Sequence, residues 1–488
     1  MKKIYIYLMA AAVSAGLSSC GKFLEESSQD EIRPTSASDY RELIAGEIYA
    51  KANDDMPHEY LDVLTDDCDD LLTNARLGSD TRGSGFGYYT WQQSPEEQIA
   101  EVRNNDKSWG FYYHHILVAN MVLYDIDRMK GTEQEKHLVK AEAYAIRGYA
   151  YFMLVNLYGE PYDPKTADTA LGVPLNNLVG AENAKFTRES VAEIYRTITD
   201  DLNSSLEHFK ASGTSNSIWR WNENAVNLLL ARTYLYMQKW NDAIKSINNL
   251  LAVKADLWNL DEKAESSQAD QYFICSQNPE IIFSYGYYYI TYFAPGAKGG
   301  FPASENLRNT YEPGDLRCEG NDGQYIRLQG STLFGNKKRH LHYKGGYSSD
   351  TGVHGYALRT AEAYLIRAEA LAHTPEYADA VEDLNNLRSK RFSPEAYSPL
   401  SAGTQQEVIE AVRAERRREM CFEQLRWFDL RRWGRPSITH YYTPDINDTP
   451  QKYILEENDP AYTLPVPKAV LEMEPELQNI QRPVRNPA

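Results

Sequence analysis

An eight-residue segment that occurs twice is the strongest constraint on how this chain can fold. Residues 141–148 read AEAYAIRG and residues 361–368 read AEAYLIRA, so six of eight positions are identical at a separation of 220 residues. A looser third copy lies at residues 225–236. Small residues such as Ala143 and Gly148 in the first copy let two helices approach closely. The repeat therefore predicts helices that pack against one another.

Each copy is followed by an amphipathic stretch that fits a second helix. Apolar residues recur at helical spacing in residues 240–250 and 377–387, and, after an insertion, in residues 191–202. A helix, a turn, an aromatic residue with Ala three positions later and a second helix form the tetratricopeptide pattern. An earlier pair is expected, with its second helix near residues 108–129. We predict an all-α, tetratricopeptide-like helical-repeat scaffold, with repeat helices at about 38–76, 100–157, 187–251, 358–391 and 405–433.

Long irregular stretches interrupt the repeats. They are rich in Gly, Pro, Asn and aromatic residues, and loops of this length within a compact domain are usually functional. We expect residues 38–488 to form a single domain in which the insertions at about 77–99 and 252–357 build a ligand-binding face.

The N-terminus resembles a bacterial lipoprotein signal. Lys2 and Lys3 precede an apolar run over residues 4–17, which is too short to span a bilayer and suits the core of a signal peptide. The run ends in Leu-Ser-Ser-Cys at residues 17–20, which resembles a lipobox, whereas an ordinary signal peptide with a chance cysteine is the alternative. We predict a signal peptide over residues 1–19, acylation of Cys20 and a tether over residues 20–37. Multiple acyl chains on one cysteine would anchor the protein stably to a membrane.

Charge and cysteine content exclude several classes of protein. The formal net charge is −18, and an acidic surface repels phosphate backbones, so we expect no nucleic-acid partner. Four cysteines remain besides Cys20, and their spacings match no metal framework. Cys275 and Cys318 fit either a disulfide in an oxidising compartment or independent buried thiols. We predict no metal and no cofactor.

A basic, acidic and aromatic string near the C-terminus resembles a known family. Residues 411–434 read AVRAERRREMCFEQLRWFDLRRWG, which is similar to the ERR.E...E..RW.DL.RWG motif of the RagB/SusD family of Bacteroidetes outer-membrane lipoproteins. The stripe of Trp, Tyr, Ile and Asn at residues 109–120, the helix and Gly-Glu-Pro turn at 140–161 and the ending at 464–479 also resemble this family. The resemblance covers nearly the whole chain.

This resemblance implies a fold and a function. Members carry four tetratricopeptide pairs that contact a SusC-like TonB-dependent porin, while loops on the other side form a shallow ligand face. The chain is thus expected to be a lipid-anchored outer-membrane protein facing the cell exterior, which captures oligosaccharide or polysaccharide and delivers it to that transporter without catalysis. Some relatives bind peptides, so a peptide-binding surface scaffold of RagB type is one alternative, and a surface glycoside hydrolase is another.

Two aromatic-rich loops are candidates for sugar contacts. A sugar ring stacks its C–H face on Trp or Tyr while polar side chains fix its orientation. Residues 78–93 combine aromatics with four glycines, which argue against a packed strand and favour an exposed Trp91. The tyrosine run at 285–293 follows an expected buried strand at 280–283, so its rings fit either a ligand face or the core. The candidate ligand contacts are Arg82, Tyr88, Tyr89, Trp91, Gln92, Tyr287, Tyr289 and Tyr292.

The charged residues of the C-terminal string suit a structural role better than a binding patch. Glu415 and Arg418, like Asp429 and Arg432, are one helical turn apart, and opposite charges at this spacing pair with each other. We interpret the string as a clamp that holds the last helices to the repeats.

Catalytic motifs are missing from the sequence. The acids at positions 66, 67, 69 and 70 lack the Gly and Glu of an EF-hand loop, and neither Gly-x-Ser-x-Gly nor His-Glu-x-x-His occurs. We predict no catalytic residues.

Overall fold

The structure is a computed structural model. It describes residues 34–49, 57–72, 81–96, 106–180, 185–266, 272–285, 299–318, 322–330, 338–342, 344 and 356–488.

Helices dominate these residues, which confirms the predicted all-α scaffold. They are α1 (Ala37–Glu47), α2 (Thr81–Tyr89), α3 (Ser108–Asp125), α4 (Glu133–Tyr158), α5 (Val191–Ser212), α6 (Glu223–Tyr236), α7 (Trp240–Leu251), α8 (Leu260–Glu265), α9 (Glu305–Arg308), α10 (Thr360–Ala372), α11 (Ala380–Arg388), α12 (Gln405–Met420), α13 (Arg426–Arg432) and α14 (Lys468–Met473).

The repeat helices pack in the predicted pairs. The three sequence copies lie in α4, α6 and α10, and their partners are α5, α7 and α11. α10 also packs on α7, and α6 packs on α5, so neighbouring pairs stack side by side. The earlier pair is formed by α1 and α3, both of which contact α4. The tetratricopeptide interpretation is therefore confirmed.

Local sequence sets the ends of these helices and their spacing. Thr132 caps the N-terminus of α4 and Glu135 reaches back to it, a capping box that satisfies backbone N–H groups otherwise left without partners. Gly213 ends α5 with φ of 63°, a conformation that glycine adopts without strain. A Cβ at Gly148 would lie 3.1 Å from Cδ2 of Leu202, so this glycine lets α4 and α5 approach closely.

Five short antiparallel strand pairs lie between the helices in the described part of the chain. They are β1 (Leu71–Leu72) with β5 (Gly299–Gly300), β2 (Leu171–Pro174) with β3 (Arg188–Ser190), β4 (Ile281–Tyr285) with β8 (Tyr356–Arg359), β6 (Ile326–Gly330) with β7 (Lys338–His342), and β9 (Ile438–Tyr442) with β10 (Gln451–Leu455). The buried strand expected at 280–283 is β4, and β8 leads directly into α10.

The charged C-terminal string acts as the predicted clamp. Arg418 Nη2 lies 2.7 Å from Glu415 Oε2, and Arg432 Nη2 lies 2.8 Å from Asp429 Oδ1. Arg432 also pairs with Glu369 of the repeat helix α10. Both expected pairs are therefore present, and the additional pair of Arg432 with Glu369 ties α13 to the repeats.

One buried carboxylate joins the clamp to distant parts of the chain. Glu419 is fully buried and lies 2.6 Å from Arg359, 2.9 Å from Arg391 and 3.0 Å from Arg317. Burial alone would raise the pKa of Glu419, but these three guanidinium groups lower it well below its usual range. The carboxylate is therefore ionised and compensates for cations brought together from three segments.

The described cysteines and helices test two further expectations from the sequence. Cys68, Cys275, Cys318 and Cys421 are free thiols, so Cys275 and Cys318 do not form a disulfide. Among the described residues we find no helix whose length and apolar character would suit a membrane span.

Cys20 and the signal peptide lie outside the described residues, as does most of the tether.

Candidate ligand-binding site

The first predicted ligand loop is a buried helix with its following turn. Residues expected to form an exposed glycine-rich loop fold into α2, and Tyr88, Tyr89 and Arg82 are buried. Trp91, in the turn after α2, is 0% exposed, so the prediction that its ring is exposed for stacking on a sugar is wrong. These four side chains therefore belong to the interior of the protein.

Close packing explains why the glycines of this segment do not form the exposed loop that the sequence predicted. A Cβ at Gly85 would lie 2.4 Å from the ring of Phe301, and one at Gly87 would lie 2.2 Å from the carbonyl oxygen of Pro95. These glycines therefore allow neighbouring segments to pack closely against α2. Glycine content alone does not distinguish such close packing from a flexible loop.

The aromatic side chains after the glycines pack against the β9–β10 hairpin and its neighbours. Trp91 stacks on His440 with ring centroids 4.3 Å apart, and its Nε1 donates a hydrogen bond of 2.9 Å to the carbonyl oxygen of Leu64. Tyr89 also stacks on His440, with ring centroids 4.1 Å apart, and Tyr88 stacks on Tyr60 at the same distance. All three rings thus belong to the core.

Arg82 is occupied by a structural ion pair. Its Nε and Nη2 donate to the two carboxylate oxygens of Asp70 at 2.5 and 2.7 Å, and its guanidinium lies 4.4 Å from the ring centre of Tyr442. A side chain held in this bidentate way fixes α2 to the segment that precedes β1 and to the β9–β10 hairpin. The prediction that Arg82 orients a ligand is therefore corrected.

The remaining predicted ligand contacts are Gln92 and three tyrosines. Gln92 is half-buried, and its Nε2 donates to Thr90 Oγ1 at 3.0 Å. Tyr287, Tyr289 and Tyr292 lie outside the described residues.

A cleft opens directly after the turn that contains Trp91. We call it the proline cleft, and its volume is about 360 Å³. That volume is within the range of small-ligand sites. Its walls are residues 93–96, 465–468, 471 and 479–482.

The local sequence builds this cleft from two parts of the chain. Trp91 has φ of 52°, a left-handed conformation that reverses the chain and brings Gln93 to the surface. Gln93 Nε2 then donates to the carbonyl oxygen of Arg482 at 3.1 Å, which joins the two walls. On the C-terminal wall, Asn479 Oδ1 accepts hydrogen bonds from the backbone N–H groups of Val466 and Ile480, both at 3.0 Å.

The lining combines two kinds of surface. Apolar contacts come from Pro95, Pro465, Val466, Pro467, Leu471 and Ile480, whereas Gln93, Ser94, Asn479 and Gln481 add amide and hydroxyl groups, and Glu96, Lys468 and Arg482 add charges. A sugar ring needs an apolar surface with a few polar groups around it, which is what the cleft provides. In the sequence, the C-terminal part of this wall stands out only through its family resemblance, because no pattern there places it next to residues 93–96.

The acidic cluster at residues 66–70 belongs to the frame. Asp66 pairs with Arg426 at 2.9 Å, and Asp67 pairs with Arg417 at 2.8 Å. Asp69 accepts a hydrogen bond from the backbone N–H of Glu305, and Asp70 holds Arg82. In the part of the chain that the structure describes, no group of three or more His, Cys, Asp or Glu is arranged to hold a metal ion.

Two family models match the chain, one in each half. The model described as "Starch-binding associating with outer membrane" matches residues 22–235, and the model of the SusD family matches residues 276–483. The chain belongs to the SusD/RagB family. Both walls of the proline cleft fall within these matched ranges.

Curated relatives and solved structures are similar over nearly the whole chain. SusD-like protein P25 of Formosa agariphila is 23% identical, with 97% of each chain covered. A putative sugar binding protein from Bacteroides vulgatus has a TM-score of 0.71 at 24% identity, covering 92% of this chain and 99% of its own. A SusD-like carbohydrate binding protein from the same species has a TM-score of 0.65 at 21% identity, covering 90% and 97%. At these identities the solved structures establish the SusD fold.

Proposed function

We propose that this protein is a lipid-anchored binding protein of the outer membrane that captures oligosaccharide at the cell surface and delivers it, chemically unchanged, to a SusC-like TonB-dependent transporter. The observation that carries this proposal is the match of both halves of the chain to SusD-type family models, one of them described as starch-binding and associated with the outer membrane. Two solved structures of the same fold are named as sugar or carbohydrate binding proteins.

The proline cleft supports a role in binding sugars. Proline, leucine and isoleucine side chains offer an apolar surface to the C–H face of a sugar ring, and amide groups are available for its hydroxyls. Gln92 lies beside Gln93 of the cleft, and Tyr287, Tyr289 and Tyr292 remain candidates for aromatic stacking. Arg82, Tyr88, Tyr89 and Trp91 contribute by holding α2 in place under this surface.

The chemistry of the cleft favours binding without hydrolysis. Glycoside hydrolysis generally needs two carboxyl groups on opposite sides of the scissile bond. Among the described residues that line the cleft, Glu96 supplies the one carboxylate. The acids at residues 66–70 are held by arginines or by a helix N-terminus, which suits a structural role.

We expect the soluble form that begins at Gly21 to bind at least one oligosaccharide and to release no reducing sugar. A glycan array identifies the ligand, titration calorimetry measures its affinity, and a reducing-end assay after long incubation tests for turnover. Binding to peptides alone would contradict the proposal in favour of a peptide scaffold. New reducing ends would contradict it in favour of a hydrolase.

We expect the full-length protein to purify from detergent-solubilised outer membranes together with a TonB-dependent barrel. The matched control is Cys20→Ser, which removes the sulfur that would carry the lipid and should move the protein out of the membrane fraction. Unchanged membrane association of the Cys20→Ser variant would contradict the proposed anchor. Purification of the anchored protein without any barrel would contradict the proposed delivery step.

A further inference from the structure

A second cleft lies between two neighbouring repeat pairs, where the chain turns from one helix of a pair to the next. We call it the repeat cleft, and its walls are residues 238–242, at the start of α7, and residues 373–376, directly after α10. Its volume is about 590 Å³, which is within the range of small-ligand sites. The two walls adjoin because α10 packs on α7. The cleft therefore results from the stacking of the repeats, and it shares no lining residue with the proline cleft.

A pair of stacked aromatic rings forms part of the wall of the repeat cleft. Trp240 stacks on His373, with ring centroids 4.3 Å apart and an angle of 12° between the ring planes. Both side chains are half-buried and line the cleft. Burial lowers the pKa of His373 despite the nearby carboxylate of Glu369, so the imidazole is neutral at neutral pH. The pair thus offers an uncharged aromatic surface, whereas the described lining of the proline cleft contains no aromatic residue.

Polar side chains with available hydrogen-bonding groups surround the aromatic pair. The exposed amides and carboxylates of the lining belong to Gln238, Asn241, Asp242 and Glu376. None of these four side chains forms a hydrogen bond or an ion pair with another described residue. In the proline cleft, by contrast, Gln93 and Asn479 are hydrogen-bonded to backbone groups of the cleft itself. The polar groups of the repeat cleft are therefore available to a ligand.

The lining of the repeat cleft fits an uncharged ligand that is rich in hydroxyl groups. Aromatic rings accept the C–H face of a sugar, and amide and carboxylate groups bind its hydroxyls. Asp242 and Glu376 outnumber Lys239, which disfavours an anionic ligand. Among the described residues that line the cleft, none is Leu, Ile, Val or Met, so apolar peptide side chains would find little to pack against. These observations favour a neutral sugar over a peptide.

We propose that the repeat cleft is a second binding site for a neutral oligosaccharide, in which the sugar packs against Trp240 and His373 while the surrounding polar side chains bind its hydroxyls. This inference rests on the proposed glycan-binding function and adds a separate point of contact on the repeat scaffold.

Hydrogen–deuterium exchange locates bound sugar on the protein. The probes are maltoheptaose, the neutral oligosaccharide that binds most tightly on the glycan array, and a tryptic digest of casein, each added to the form that begins at Gly21. We expect an oligosaccharide to slow exchange in residues 238–242 and 373–376, in addition to residues 92–96 and 479–482. A series of glycan concentrations gives a separate affinity for each cleft.

Variants assign the effect to the repeat cleft. Trp240→Ala should weaken binding there about tenfold or more, and Asn241→Ala should weaken it about threefold or more. Neither variant should change the affinity at the proline cleft. The matched control is Asn249→Ala, which removes an exposed amide from the same helix outside the cleft and should leave both affinities unchanged. If Trp240→Ala fails to fold, Asn241→Ala carries the test, because its side chain is exposed.

Each outcome separates this inference from the proposed function. Protection of the proline cleft alone, or protection of the repeat cleft that neither variant weakens, would overturn the second site and leave glycan capture standing. Protection of the repeat cleft by casein peptides and by no oligosaccharide would overturn it in favour of a peptide site. Failure of every oligosaccharide to bind the wild-type protein would overturn both proposals.

Discussion

Replacing Glu419 with glutamine is expected to lower the free energy of unfolding by about 3–5 kcal/mol. The carboxylate is fully buried and lies within 3.0 Å of Arg317, Arg359 and Arg391. It also accepts a hydrogen bond of 2.8 Å from the hydroxyl of Tyr325. Glutamine keeps the shape but removes the negative charge and directs an N–H₂ group at cations, so buried positive charge is left uncompensated.

Urea denaturation of both proteins measures this effect. The matched control is Glu410→Gln on the same helix, where the side chain is exposed and the expected change is within about 0.5 kcal/mol. Similar unfolding midpoints for wild type and Glu419→Gln would contradict the conclusion that this carboxylate holds α12 to the insertion and to the repeats.

Replacing Trp91 with alanine is expected to destabilise the protein by about 3–5 kcal/mol. The indole is completely buried, packs on His440 and donates its N–H to the carbonyl oxygen of Leu64, so alanine leaves a cavity and an unpaired acceptor. Molecules that remain folded should still bind the oligosaccharide that the glycan array identifies, because the indole does not reach the surface.

Thermal unfolding and glycan titration on the same sample distinguish a structural role of Trp91 from direct contact with the glycan. Trp219→Ala serves as the control, since this tryptophan is 37% exposed and should cost less than about 1 kcal/mol. A Trp91→Ala protein with normal stability and no affinity for glycan would show that Trp91 contacts the ligand and that the buried position is wrong.

The helical frame could be predicted from the sequence because the patterns that specify its helices are local. The eight-residue repeat and the apolar spacing identified α4, α6 and α10 and their partner helices, even where an insertion separates α4 from α5. Pairs one helical turn apart, such as Glu415 with Arg418, were predictable for the same reason. The ion pairs of Glu419 with Arg317 and Arg359 were not, because those partners lie 102 and 60 residues away along the chain.

The candidate site was harder to predict, because it depends on contacts between distant segments. Glycines in residues 81–89 suggested a loop. These residues form a helix instead, and Gly85 and Gly87 let Phe301 and Pro95 pack closely against it. The proline cleft combines residues 93–96 with residues 465–482, and no pattern in either segment points to the other.

The central claim is that glycan binds on the surface formed by residues 92–96 and 479–482, above the buried α2. Hydrogen–deuterium exchange of the form beginning at Gly21, with and without the oligosaccharide that the glycan array identifies, tests it most directly. We predict slower exchange in both of these segments when the glycan is present. Protection confined to the repeat helices, with no change in either segment, would contradict the claim.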